Sequence, residues 1–136
     1  MGVTGPGASG NTVTVNVSPT APGIFSANFS GSGQGIIFNP DVSIAAPTGS
    51  IAGRLTRPAR PGDYIIIWGV GLGPVDPPIP SGISPSLTST PVRRLRNFPR
   101  VLVGNQPVAA GQFDFAGLNA DFVGIYQVNV QLPANV

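Results

Sequence analysis

The sequence predicts an all-β chain, a sandwich or barrel of short strands, and three observations carry that expectation. Apolar residues alternate with polar ones at period two, as strands with one buried face require, while helical periodicity is nearly absent. Turn signals built on Gly, Pro, Asn and Asp break the apolar runs at short intervals. With 41% apolar residues and positive mean hydropathy, the chain carries enough apolar surface to offset its ordering entropy, despite 19 Gly and 16 Pro. Its 136 residues suit one domain that buries roughly two-thirds of the surface exposed on unfolding. Residues 1–10 read as a Gly-rich leader and 11–136 as a single β domain.

The elements follow in order. Thr12, Val13, Thr14, Val15, Asn16 and Val17 put three valines on one face and polar groups on the other, a β-branched strand with one side to bury. Short strands are expected at 23–29, 35–39 and 42–45, with a turn at Asn39-Pro40-Asp41. Residues 63–68 are apolar on both faces, which predicts a central strand. Residues 69–80 combine free glycines with prolines that lack donors, so a long ordered loop is expected there, continued by a Ser/Pro-rich excursion over 81–90. Further strands are expected at 100–103, 107–109 and 112–115, the first two joined through Gly104-Asn105-Gln106-Pro107. The chain closes on Tyr126, Val128, Val130 and Leu132, alternating with Gln127, Asn129 and Gln131.

Only 9% of residues are charged, every cation is Arg and every anion is Asp. A surface of Ser, Thr, Asn, Gln and Gly exerts little repulsion between neighbours, which favours self-association. The absence of Cys excludes disulfides, thiolate metal sites and a cysteine nucleophile. No run approaches the roughly 20 apolar residues that cross a bilayer, so no membrane span is expected. The first ten residues have neither the basic nor the apolar region of a secretion signal. For a secreted protein, that signal is expected to lie outside this sequence.

The runs APGIF (21–25), GSGQG (31–35), RPGDYIIIWGVGLGPVDPP (60–78) and AGLNADFVGIYQVNVQLP (116–133) carry a resemblance. Spanning about 18–133, the chain resembles the C-terminal repeat domain of large secreted acidobacterial proteins of the Solibacter type, itself similar to the IPT/TIG class of immunoglobulin-like repeats. The resemblance implies an immunoglobulin-like β-sandwich with long Gly/Pro-rich loops, an extracellular or cell-surface location, and no established activity. Three departures stand out. Asp41-Val42 replaces an Asp-Gly turn, residues 92–96 are more basic than usual, and the chain stops at Val136. In the family a further hairpin follows YQVNV and ends in a segment like residues 11–17, which here sits at the N-terminus instead. A sandwich without its last strand exposes backbone groups and an open apolar cleft. Thr12, Val13, Thr14, Val15, Asn16 and Val17 are therefore expected to complete either their own sandwich or that of a neighbouring copy, and the second choice gives a head-to-tail contact that need not close.

Catalysis is not expected. With no His, Glu, Lys or Cys, only Asp and two Tyr remain for acid-base work, and a nucleophilic triad cannot be assembled. Asp114, Asn119 and Asp121 offer oxygen ligands to calcium, but no calcium-loop spacing is present and turn capping is the simpler reading, so neither metal nor cofactor is expected. Arg54, Arg57 and Arg60 form one basic cluster and Arg93, Arg94, Arg96 and Arg100 another; at net charge +2 these fit hydrogen bonds to loop carbonyls or a neighbouring subunit better than nucleic acid. The glycines of 69–73 lack the helix and GK[ST] element of a phosphate loop. Tyr64, Trp68 and Tyr126 are either core aromatics or a sugar-stacking platform. Asn16-Val17-Ser18 and Asn28-Phe29-Ser30 match the N-glycosylation sequon, which acts only in a glycosylating host. The expected function is a non-enzymatic extracellular structural module, a filament subunit joined by strand complementation, with a carbohydrate-binding or adhesion module as the alternative.

Overall fold

The computed structural model describes residues 4, 5, 8, 9 and 13–136. Its strands in chain order are β1 (Thr4–Gly5), β2 (Ala8–Ser9), β3 (Gly23–Ile24), β4 (Ile37–Phe38), β5 (Ile44–Ala45), β6 (Thr56–Arg57), β7 (Tyr64–Val70), β8 (Val75–Asp76), β9 (Arg94–Leu95), β10 (Leu102–Val103), β11 (Gln106–Pro107), β12 (Phe113–Leu118) and β13 (Tyr126–Gln131). Two 3-10 turns, Pro85–Leu87 and Ala110–Gln112, are the only helical elements among the described residues. The fold is all-β.

One large sheet runs in the order β6-β5-β4-β7-β13-β12-β9-β8, with β3 also on β7. The β5–β6 pair is parallel and the other pairs are antiparallel, so the sheet is mixed. The doubly apolar run at 63–68 becomes the central strand as expected. On one edge of β7 lies β13, and on the other lie β4 and β3, placed end to end. Register sets its faces: Ile65 stands opposite Val130 and Ile67 opposite Val128 on the inner side, while Trp68 stands opposite Gln127 on the outer side. The buried core gathers Ile65, Val75, Leu95, Val108, Ala116, Leu118, Val128, Val130 and Leu132. Val101 and Val103 press onto it from the separate β10–β11 hairpin, whose Gly104 and Asn105 both have positive φ, the type I′ turn that suits strand twist.

Two expectations are corrected. Thr12 lies outside the described residues, and 13–17 belong to none of the strands; Val13, Val15 and Val17 are 59%, 56% and 87% exposed. The expected loop after residue 68 is partly sheet. β7 continues through Gly69, where the bare backbone lets the Gly23 carbonyl approach to a point that any side chain would fill. Val75–Asp76 then pairs with Arg94–Leu95, because a two-residue ladder fits between the glycines and the prolines that follow.

At the β4–β5 hairpin, Val42 donates to the Asn39 carbonyl and Asn39 to that of Ser43, which leaves Val42 in the left-handed region at φ 60. This loop is a type I turn closed by a left-handed residue, a position made for Gly or Asn. A β-branched side chain there is strained, and its 78% exposure means that packing does not compensate. Val42→Asn is therefore expected to raise stability by about 1 kcal/mol, a Tm gain of a few degrees in thermal denaturation followed by circular dichroism. An unchanged or lower Tm would show that the turn is not held in this conformation.

Candidate functional site

The inner face of the large sheet is only partly covered. A cleft of about 460 Å³ opens beside the core. Its floor is Ile37, Ile65, Ile67 and Val128, with Gly69 adding bare backbone; residues 22–24 and Leu72 form one wall, and 99–104 form the other. Ile24 and Leu102, both about half exposed, stand on the two walls. The lining carries a single charged residue, Arg100, so what the cleft offers is apolar contact and strand edge.

The N-terminal segment is fastened at one end of this cleft. Ala21 donates to the Gly71 carbonyl at 2.9 Å, and Gly23 and Ile24 pair with Val70 and Gly69. Gly71 (φ 72) gives the chain a left-handed turn and a surface against which the Ala21 carbonyl lies too close for any side chain. A Cβ on Gly73 would meet Thr20 at 2.8 Å. The glycine run, read from sequence as turn geometry, is thus also the seat of residues 19–24. Upstream of that seat, residues 13–17 hold their valines exposed and line none of the cleft.

The three singled-out aromatics are not brought together. Tyr64 and Trp68 lie on the outer face, whereas Tyr126 stands opposite Gly69 on the inner face and packs against the core. Trp68 is gripped by Phe38 at 5.2 Å and Phe122 at 5.6 Å between ring centres. The Tyr126 hydroxyl donates to the Gly73 carbonyl at 2.6 Å, and burial pushes its pKa up. Asn119 Oδ1 accepts from the N–H groups of Asp121 and Phe122, the turn-capping role set against calcium binding. No group of three metal-ligating side chains occurs among the described residues.

No protein-family model, curated protein or solved structure matches this chain. What the site can do is therefore read from its own geometry.

The arginines are mostly spent on the protein itself. Arg93 and Arg94 donate to the carbonyls of Val92 and Asp114, Arg93 also reaches Thr88 Oγ1 at 2.9 Å, and Arg94 lies over the Phe115 ring at 5.3 Å. Sequence reasoning did not find the polar cluster at the β4–β6 end of the sheet. There Asp41 accepts from the Ser43 hydroxyl and from Arg57 Nε at 2.7 Å, while Asp63 lies 3.7 Å from the same guanidinium. Buried Asn39 links the cluster inward, donating to Ser43 Oγ and the Arg57 carbonyl. No helix among the described residues is long and apolar enough to cross a membrane.

The Ser43 hydroxyl, followed by Arg57, holds the Asp41 carboxyl at about 2 instead of 3.8. The unfolded chain takes up this proton more readily than the folded one, so the cluster's contribution is complete above about pH 4 and is lost as pH falls toward 2. Tm is expected to drop across this acid range, and Asp41→Asn is expected to flatten that part of the profile while lowering Tm at neutral pH. An acid profile identical in the variant would remove Asp41 as the responsible group.

Proposed function

We propose that this chain is a non-enzymatic structural module of an extracellular assembly, an immunoglobulin-like sandwich that joins copies of itself by strand complementation through residues 12–17. The observation that carries this reading is an exposed valine segment, Val13, Val15 and Val17, in a chain that also holds an apolar cleft lined by none of residues 13–17; the segment joins the cleft wall through residues 19–24. Burying such a segment between strands removes three β-branched apolar side chains from water and fills a slot that the chain leaves open. The sparse charge lowers the repulsion between subunits. The resemblance to secreted immunoglobulin-like repeats supports both the sandwich and the extracellular location.

Light scattering on the full chain across a concentration series is expected to give a mass that rises with concentration. Deleting residues 1–17 is expected to leave a soluble, less stable monomer at every concentration, whereas unchanged assembly of the shortened chain would rule the segment out.

One observation favours a carbohydrate-binding module instead. On the outer face, Asn119 donates to Gln127, Gln127 to Asn129 and Asn129 to Asp114, a polar ladder within reach of the exposed Tyr64 and the half-buried Trp68. Calorimetry with neutral and acidic oligosaccharides is expected to give no saturable heat. Saturable binding lost in Tyr64→Ala, with no concentration-dependent assembly, would put the glycan reading first.

A further inference from the structure

The β10–β11 hairpin has two unlike edges. Val108 donates to the Val101 carbonyl and Leu102 stands opposite Pro107, so Leu102 occupies the position whose N–H and C=O turn away from the partner strand. The corresponding outward position on β11 is Pro107, which has no N–H, and that edge is blunted. On β10 both outward groups are intact, and among the described residues the strand pairs with β11 alone. The cleft is lined by 99–104 and by none of 105–108, so the intact edge is the one that borders it.

Parity then restricts what can lie along that edge. Val101 and Val103 pack toward the core while Leu102 is half exposed. A strand laid beside them with its apolar side chains on Ile65, Ile67 and Val128 must be polar at its alternate positions, and it sets one of those opposite Leu102. Residues 13–17 have this pattern.

We propose that the β10 edge at Leu102 accepts residues 12–17 of a second copy of this chain, with Val13, Val15 and Val17 on the cleft floor and Thr14 or Asn16 hydrogen-bonded to the Leu102 backbone. The proposal rests on the reading that copies associate through this segment, and it names where the segment lands. A second copy is the occupant because residues 20–24 run antiparallel to β7 and leave past its C-terminal end at Gly71 and Gly73. Entry into the chain's own cleft needs a full reversal between residues 17 and 20; the chain does bend at Pro19, yet none of residues 13–17 lines the cleft. The structure leaves them outside the cleft of their own chain.

The chain has no cysteine, so each introduced thiol is the sole one. Leu102→Cys chains are mixed with Thr14→Cys, Asn16→Cys or Val15→Cys chains under mild oxidation and run on a non-reducing gel. Directly paired strand residues lie about 5.5 Å apart, within disulfide range. The expected result is a mixed disulfide with Cys at 14 or 16, formed several-fold more than with Cys at 15, which points to the opposite face. The double variant Asn16→Cys/Leu102→Cys is expected to give a ladder of linked chains. A closed monomer with an internal disulfide would overturn the second copy as occupant. Equal linkage at 14, 15 and 16, or none while the unmodified chain still assembles in light scattering, would overturn the β10 site and leave self-association standing. An unmodified chain that stays monomeric throughout would overturn self-association itself.

Discussion

The antiparallel register between β7 and β13 governs which side chains this molecule buries. Six positions pair without interruption, from Tyr64 opposite Gln131 to Gly69 opposite Tyr126. Because side chains alternate, that register sends Ile65, Ile67, Val128 and Val130 to one face and Ile66, Trp68, Gln127 and Asn129 to the other. A slip of one residue would turn the core outward and place amides where the cleft floor now lies. The remaining strands of the sheet, two residues long apart from the six-residue β12, take their positions from these two: β4 and β3 share the free edge of β7, and β12 extends the sheet beyond β13.

Little of the structure's stability rests on charge. The ion pairs among the described residues, Arg57 with Asp41 and Asp63 and Arg96 with Asp76, are all substantially solvent-exposed, where such pairs contribute about 0–1 kcal/mol each. Apolar burial and backbone ladders carry the fold, and polar groups act locally. Asn39 and Ser43 are fully buried and share a hydrogen bond, which anchors the β4–β5 turn without a charge in the interior. A molecule built this way meets a copy of itself with few repulsive contacts and few charges to desolvate.

The sequence made the all-β class legible, along with the central strand and the closing strand, because Ile65 to Trp68 and Tyr126 to Leu132 carry unambiguous apolar patterns. Less legible were strands two residues long. Thr56–Arg57, Val75–Asp76 and Arg94–Leu95 have no periodicity to read, and their pairing is imposed by the sheet they join. The valine segment illustrates the converse: its alternation is as clear as that of β13, yet alternation states what a strand would bury and not which sheet will take it. An open apolar cleft was expected in outline, but its residues were not, since only the hairpin register reveals that Leu102 and Pro107 both turn their backbone groups outward, of which Pro107 alone lacks the N–H. Tyr126 separates from Tyr64 and Trp68 for the same reason, one residue of register placing it on the other face.

The seat at Gly71 and Gly73 also has a mechanical meaning. Tension entering the chain at Thr20 runs along the axis of β7, because residues 21–24 lie antiparallel to it. Such a pull shears the bonds from Ala21 to Gly71 and the Gly23–Val70 pairing, loading them together instead of peeling them open one at a time. A pull on the N-terminal segment is thus met by β7, the strand that also organises the core, and not by the loops.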